Sequence, residues 1–405
     1  MPISLLIVSN GPGELASWVK PVVRAWRRRH PDQAVGVALV WCPYASGEEA
    51  RAVGRWPEPP LVARPGQTAR WLATARPPAG FTPADRGVVL HLGGDQLWAV
   101  ALGARLGWPV AVYTETTGRW TSRVAGFLCA DEAVARRVRA AGAAPDAVTL
   151  IGNLMVDAVT AAGPRRELEA TVGLLPGSKP FKVQWVTPLF LRVADLIRQR
   201  RPDTRFLLPL APTVPLSDLV AAAADAKRAG VTGGVTAQLV EHAGEPALRT
   251  EAGTLVRVEA TADPRFACRD LTVALTLPGT NTAELAVLGV PMVVALPLHR
   301  PEVIPVDGLL GRVGDTPLLG AWLKRRMAAE LLRHRPLMAL PNQRLGRAAT
   351  PELMGAFPPE ELADLVLEVL TDPGRRQAIT RDLKGAMGDA GAATRLVEAL
   401  GTLPG

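Results

Sequence analysis

The hydrophobic pattern is a succession of short apolar runs, each followed by a stretch with helical spacing. Ser4–Ser9, Val35–Trp41, Val88–Leu92, Val110–Tyr113, Gly126–Ala130 and Val148–Ile151 read as strands of a first domain. Val172–Leu175, Arg205–Leu210, Leu255–Glu259, Val273–Leu277 and Met292–Leu296 repeat the pattern in a second. Apolar character on both sides of a strand suits a parallel sheet covered by helices. The stretch Ala158–Glu169, with Gly163-Pro164, reads as the linker. The pattern predicts an α/β chain of two Rossmann-like, doubly wound parallel-sheet domains, residues 1–160 and 168–375, facing a cleft. A helical segment, 376–405, is free to return to the first domain. Val186, Phe190, Val193 and Ile197 mark one helix, with Pro188 expected near its first turn, where proline costs least.

Two glycine turns stand out against this plan. Leu174-Leu175-Pro176-Gly177-Ser178-Lys179 and Leu277-Pro278-Gly279-Thr280-Asn281-Thr282-Ala283-Glu284 each follow a buried-type strand and open a helix. Backbone N–H groups at a helix start, with no bulky side chain in the way, suit an anion. Two such turns in one domain suggest a single ligand held at neighbouring strand ends, and Glu284 is placed to accept hydrogen bonds from a ribose. The combination points to a nucleotide-sugar. Lys179 reads either as a cation for a diphosphate leaving group or as a solvated surface lysine. Glu284 reads either as a ribose ligand or as a first-turn carboxylate favoured by the helix dipole.

In the first domain, Gly11-Pro12-Gly13-Glu14-Leu15-Ala16 has the form of a dinucleotide fingerprint. The acidic residue that should end the second strand is missing there, since that strand closes Leu39-Val40-Trp41-Cys42. The turn therefore reads as a tight strand–helix connection or as the lining of a substrate cleft, with Glu14 complementing the helix dipole. His91-Leu92-Gly93-Gly94-Asp95 closes another strand. Asp95 is either a general base on an acceptor hydroxyl or a helix cap.

Composition narrows the partners. The 405 residues are 48% hydrophobic with a formal net charge of +8, which excludes global disorder and favours anionic partners. Without a basic tail, zinc-finger or RNA-recognition signature, nucleic acid is not expected. The three cysteines, Cys42, Cys129 and Cys268, lie far apart and read as reduced core residues of a cytosolic protein. The five histidines show no metal-site spacing and no Asp-x-Asp pair occurs, so neither a metal nor another cofactor is expected. No run reaches the ~20 apolar residues of a membrane span, and Met1–Ser9 reads as a first strand, not a signal peptide. Between Gly311 and Leu340, Trp322 and Leu323 mix with Lys324, Arg325, Arg326, Arg333 and Arg335. That segment reads as an interfacial helix at an anionic membrane surface or as an ordinary packed helix.

These pieces, in their order and approximate spacing over most of the chain, resemble the lipid-A-disaccharide synthase family of GT-B glycosyltransferases. The Gly13-Glu14 turn is similar to the family's Gly-Glu turn, and Gly93-Gly94-Asp95 falls where the family has its proposed catalytic aspartate. Ile151-Gly152-Asn153 through Asp157 resembles Ile-Gly-His-x-x-x-Asp. Leu174–Lys179 resembles Leu-Leu-Pro-Gly-Ser-Arg, with Lys179 for the arginine. Gly279-Thr280 through Glu284, Pro291-Met292-Val293-Val294 and Leu340-Pro341-Asn342 complete the likeness. Leu15–Trp18 and Thr114–Trp120 depart from the family, on the acceptor side. The resemblance implies inverting, metal-independent transfer of an N-acetylglucosamine-type sugar from a UDP-sugar to a lipid-linked acceptor. It places the protein on the inner face of the membrane, and a homodimer is compatible with it. Asp95 would be the base, with Glu14 next in line, and Gly13 and Gly94 would line the substrate. Gly177, Ser178, Lys179, Gly279, Thr280, Asn281 and Thr282 would hold the diphosphate, Glu284 the ribose, and Asn342 would help close the site. A UDP-sugar epimerase of the same architecture, or an NAD-binding or non-catalytic protein, are the alternatives.

Overall fold

The computed structural model describes residues 2–41, 47, 49–160, 170–212, 214–261, 265–300, 319–334 and 336–403, with backbone alone at residues 3, 12 and 319–324. Two compact units emerge: residues 1–161 together with 388–405, and residues 162–387.

The first unit holds β1 (Ile3–Ser9), β2 (Ala34–Leu39), β3 (Leu61–Ala63), β4 (Pro83–His91), β5 (Val110–Thr114), β6 (Gly126–Cys129) and β7 (Val148–Leu150). They form one sheet in the order β3-β2-β1-β4-β5-β6-β7, parallel throughout. Alternate residues of β1 fill opposite cores. Leu5 and Ile7 pack with Leu15, Val19 and Val22 of the chain leaving β1. Leu6 and Val8 pack with Ala99 and Leu102 of the helix leaving β4. The connections after β1 and β4 thus cover opposite faces, and the sheet has its switch point between those two strands.

The helix Ala392–Leu400 completes the first core: Ala392, Ala393, Leu396 and Val397 are buried with Leu5 and Ile7. Its amino end is tied to the helix Leu154–Thr160, where the Asp157 carboxylate accepts from the backbone N–H of Gly391 and Ala393. Arg395 Nε donates to the Ile151 carbonyl at 2.7 Å. The Ile151–Asp157 segment is therefore a dock for the C-terminal helix.

The second unit holds β8 (Thr171–Leu175), β9 (Arg205–Pro209), β10 (Ala237–His242), β11 (Glu245–Thr250), β12 (Leu255–Glu259), β13 (Val273–Thr276), β14 (Met292–Pro297) and β15 (Glu352–Gly355). Their order is β10-β11-β12-β9-β8-β13-β14-β15. The six strands from β12 to β15 are parallel and repeat the switch-point plan, now between β8 and β13. The sheet is mixed, which corrects the expectation of a wholly parallel one: β10 and β11 form an antiparallel hairpin added to β12. His242 pairs with Glu245, so the loop is Ala243-Gly244, both at positive φ (54° and 79°), as a type I′ turn requires.

Two local expectations are corrected. The helix after the first glycine turn is Pro180–Arg200, so Pro188 lies in its interior, not near its first turn. Pro180 occupies the favoured first position, and the Pro188 carbonyl is additionally held by Val235 N at 3.0 Å. Residues 158–160 of the expected linker belong to the helix Leu154–Thr160, and its remainder, 161–169, lies outside the described residues. Cys129 and Cys268 are buried, and burial raises the Cys129 thiol to about 11, so it stays protonated; Cys42 lies outside the described residues.

Asp157→Ala should destabilise the protein by about 1–2 kcal/mol, the usual cost of removing a carboxylate from a helix amino end. Urea denaturation checks this. An unchanged midpoint would mean that the Asp157 carboxylate adds nothing to the docking of the C-terminal helix.

Candidate functional site: two glycine turns at a sheet switch point

Leu175 of β8 and Thr276 of β13 are register partners, so the turns that follow these strands are neighbours. The first passes through Gly177 at φ 97° and enters the helix at Pro180, with Lys179 at the N-cap position making no side-chain cap. The second passes through Gly279, the N-cap position of the helix Thr280–Leu288. Ser178, Gly279 and Thr280 are exposed, and Gly177 and Lys179 are half-buried.

Lys182, which the sequence reading passed over, joins the two turns. A Cβ on Gly177 would lie 3.2 Å from Lys182 Cδ, so the lysine stem runs across the first turn. Lys182 Nζ then donates to the Pro278 carbonyl of the second turn at 3.0 Å and lies 3.8 Å from where a Cβ on Gly279 would be. Burial, and secondarily the charge of Lys179, lowers its pKa to about 8. Neither helix has an acidic residue in its first turn, although helix dipoles favour one there. The signal was present in the sequence as Lys179-Pro180-Phe181-Lys182, two cations at a helix start without an acid.

The other expected ligands divide. Asn281 turns its amide back onto the strand end, Nδ2 to Thr276 Oγ1 at 2.8 Å. Thr282 is fully buried: its hydroxyl donates to the Gly279 carbonyl at 2.8 Å and accepts from Leu340 N at 3.2 Å, and its N–H also bonds to Gly279. These bonds fix the turn. Glu284 is the fifth residue of its helix, so it is not the first-turn carboxylate that was expected. Asn342 is likewise engaged by the protein. It is fully buried, with Nδ2 donating to Thr350 O (2.9 Å) and Glu352 Oε1 (2.7 Å), and Oδ1 accepting from Ala349 N and Thr350 N. Its amide is saturated by the protein and anchors the segment before β15.

In the first unit, Gly11–Glu14 and Gly93–Asp95 occupy the corresponding place, beyond β1 and β4. The chain after Gly11 enters a helical turn, Pro12–Glu14, then a π-helical stretch, Leu15–Val19, and the helix Lys20–Arg29. Such π segments often mark functional sites. Gly13 is half-buried, and the Glu14 carboxylate lies where a side chain on Gly11 would go. Gly94 has φ 84°, and a Cβ there would meet Val40 at 2.8 Å. Asp95 caps the helix Gln96–Leu106, Oδ1 accepting from Leu97 N at 2.9 Å, while Oδ2 pairs with Arg119 Nη1 at 3.2 Å. Both partners of that pair are about half-exposed, which keeps it weak. His91 is buried, and desolvation lowers its pKa, leaving the ring neutral at pH 7. Its Nε2 lies 3.0 Å from the Gly94 carbonyl and must be the protonated nitrogen, so Nδ1 is an acceptor. The buried atoms His91 Nδ1, Asn10 Oδ1 and Ser17 Oγ have no hydrogen-bond partner among the described residues.

Among the described residues no cluster of three or more His, Cys, Asp or Glu side chains could hold a metal, and no helix is long and apolar enough to cross a membrane. Of the basic segment, residues 311–318 and 335 lie outside the described residues. The helix Leu319–His334 exposes Arg325, Arg326 and Arg333, the last paired with Glu330 at 3.2 Å.

Lipid-A-disaccharide synthase of Syntrophus aciditrophicus is 28% identical to this chain over 264 residues, 61% of this chain and 55% of that protein. The enzyme of the same name from Paraburkholderia phymatum is 28% identical over 242 residues, 57% of this chain and 50% of that protein. The chain thus spans about half the length of the curated relatives it matches. No protein-family model matches it. Among solved structures, UDP-GlcNAc 2-epimerase from Neisseria meningitidis bound to UDP-GlcNAc superposes with a TM-score of 0.55, covering 98% of this chain and 99% of that one at 12% identity. The UDP-GlcNAc 2-epimerase from Methanocaldococcus jannaschii gives 0.53 with the same identity and coverage. The fold is accordingly the two-unit α/β architecture of GT-B type.

The lowered pKa of Lys182 makes a stability prediction. A depressed pKa in the folded state means that the unfolded chain binds the proton more tightly between about pH 8 and 10.5. The contribution of Lys182 to stability should therefore be complete above pH 10.5 and be lost as pH falls through 8. The stability difference between wild type and Lys182→Met, measured by denaturation from pH 7 to 10, should shift in favour of wild type as pH rises. A pH-independent difference would contradict the burial of this ammonium.

Proposed function

We propose that the protein is a glycosyltransferase that moves a sugar, of the N-acetylglucosamine type, from a UDP-sugar to a lipid-linked acceptor with inversion. The observation that carries this reading is the pair of glycine turns side by side at the switch point of the second sheet, where α/β sheets bind nucleotides. The match to lipid-A-disaccharide synthases supports transfer, and a glycolipid acceptor, over other uses of a UDP-sugar. In the proposed reaction the acceptor oxygen bonds to the anomeric carbon, the bond from that carbon to the diphosphate breaks, and UDP leaves. Asp95 takes the hydroxyl proton; its Oδ2 becomes available when the exposed Arg119 moves aside. The exposed turn residues Ser178, Gly279 and Thr280, with Lys179, take up the charge that develops on the diphosphate. Glu284 is assigned to the ribose.

The fold shared with UDP-GlcNAc 2-epimerases supports a second reading, in which a UDP-sugar is isomerised without an acceptor. Incubation with UDP-GlcNAc, with and without a lipid-linked monosaccharide, separates the two. Release of UDP that depends on the acceptor is expected; acceptor-independent epimerisation would replace the first reading. Asp95→Asn should lower transfer by roughly 10²–10⁴-fold, the usual value of a general base, while UDP affinity stays unchanged. Asparagine still accepts the cap hydrogen bond from Leu97, so a merely structural Asp95 would leave turnover intact.

A further inference from the structure

Lys182 has an odd position for a surface lysine. Its stem crosses one glycine turn and its ammonium rests on the carbonyl of the other. It stands at the third position of the helix Pro180–Arg200, with Lys179 at the N-cap. Two cations at the positive end of a helix oppose the helix dipole and each other. The second helix, Thr280–Leu288, brings another positive end to the same place. Neither helix carries an acidic residue in its first turn. An ammonium has three donors. One donates to Pro278, and the other two have no protein partner among the described residues.

We propose that Lys182 is a diphosphate-binding residue, a strap across both turns whose ammonium receives the phosphate oxygens of the nucleotide. The inference rests on the nucleotide-sugar reading above and adds to it a residue and a specificity. An anion at this place relieves the repulsion between Lys179 and Lys182 and complements the positive ends of both helices. The bond to Pro278 holds the ammonium in position before the ligand arrives, so little side-chain freedom remains to be lost on binding. Recognition through Lys182 is addressed to the phosphates alone. The nucleoside should be indifferent to it.

The test is calorimetric titration of the full chain with UDP, and ligand-detected NMR with uridine, for wild type, Lys182→Met and Lys182→Arg. Methionine keeps the unbranched stem and removes the charge. The expected result is a loss of UDP affinity of about tenfold to a hundredfold in Lys182→Met, the range for a charge-assisted hydrogen bond. Uridine binding should be unchanged, and Lys182→Arg should recover most of the UDP affinity. Lys182→Gln serves the same comparison if the methionine variant does not fold. Equal UDP affinity in wild type and Lys182→Met would overturn the inference and leave the nucleotide reading standing. An equal loss for UDP and uridine would also overturn it, because Lys182 would then merely shape the site. Failure of wild type to bind UDP at all would overturn both.

Discussion

A doubly wound sheet must separate its helices where the strand order reverses, and in this chain nearly every feature of chemical interest sits at such a separation. Between β1 and β4 the following connections leave to opposite faces, as the two cores on either side of β1 show. The gap they leave is bordered by Gly11–Glu14 and Gly93–Asp95. Between β8 and β13 the same strand order recurs and is bordered by Gly177–Lys179 and Gly279–Asn281. Glycine is needed at these borders because the chain reverses from strand to helix within a few residues. Gly177 must also admit the Lys182 stem. The constraint is topological, but its consequence is chemical: backbone donors and partial positive charge gather where no side chain blocks them.

The two borders differ in electrostatics. In the second unit they carry Lys179 and Lys182 and no first-turn acid, an arrangement that suits an anion. In the first unit they carry Glu14 and Asp95 beside the neutral His91 and the buried Asn10 Oδ1. That is an environment of acceptors and potential bases, suited to hydroxyl groups. In the transfer proposed above, the second unit's environment would serve the diphosphate and the first unit's the acceptor hydroxyl.

Much of this was legible in the sequence because buried parallel strands are written as unbroken apolar runs. Leu255–Glu259 was placed to the residue, and most other strands to within one or two residues. The strands that were missed lack that signature. β3 has only three residues, and β10 carries Gln238, Glu241 and His242 on an exposed outer edge. The hairpin turn was hidden because Ala243, not the usual asparagine or aspartate, takes the first left-handed position. The glycine turns were visible from their position after apolar runs. Side-chain duty was harder to read. Asn342 and Thr282 look like ligands in a string of letters, yet their polar atoms are engaged by other protein groups, Thr282 by Gly279 and Leu340, and Asn342 by Ala349, Thr350 and Glu352. Lys182 has the opposite history: a lysine in a helix looks solvated, and only the folded chain brings its ammonium against Pro278, far away in sequence.

The most direct measurement is a crystal structure of the full chain with UDP. The account predicts diphosphate oxygens within hydrogen-bonding distance of the Gly177–Lys179 and Gly279–Thr280 turns and of Lys182 Nζ, with the ribose on the side of Glu284. UDP seated instead at the Gly11–Glu14 turn, or contacting neither glycine turn of the second sheet, would contradict it.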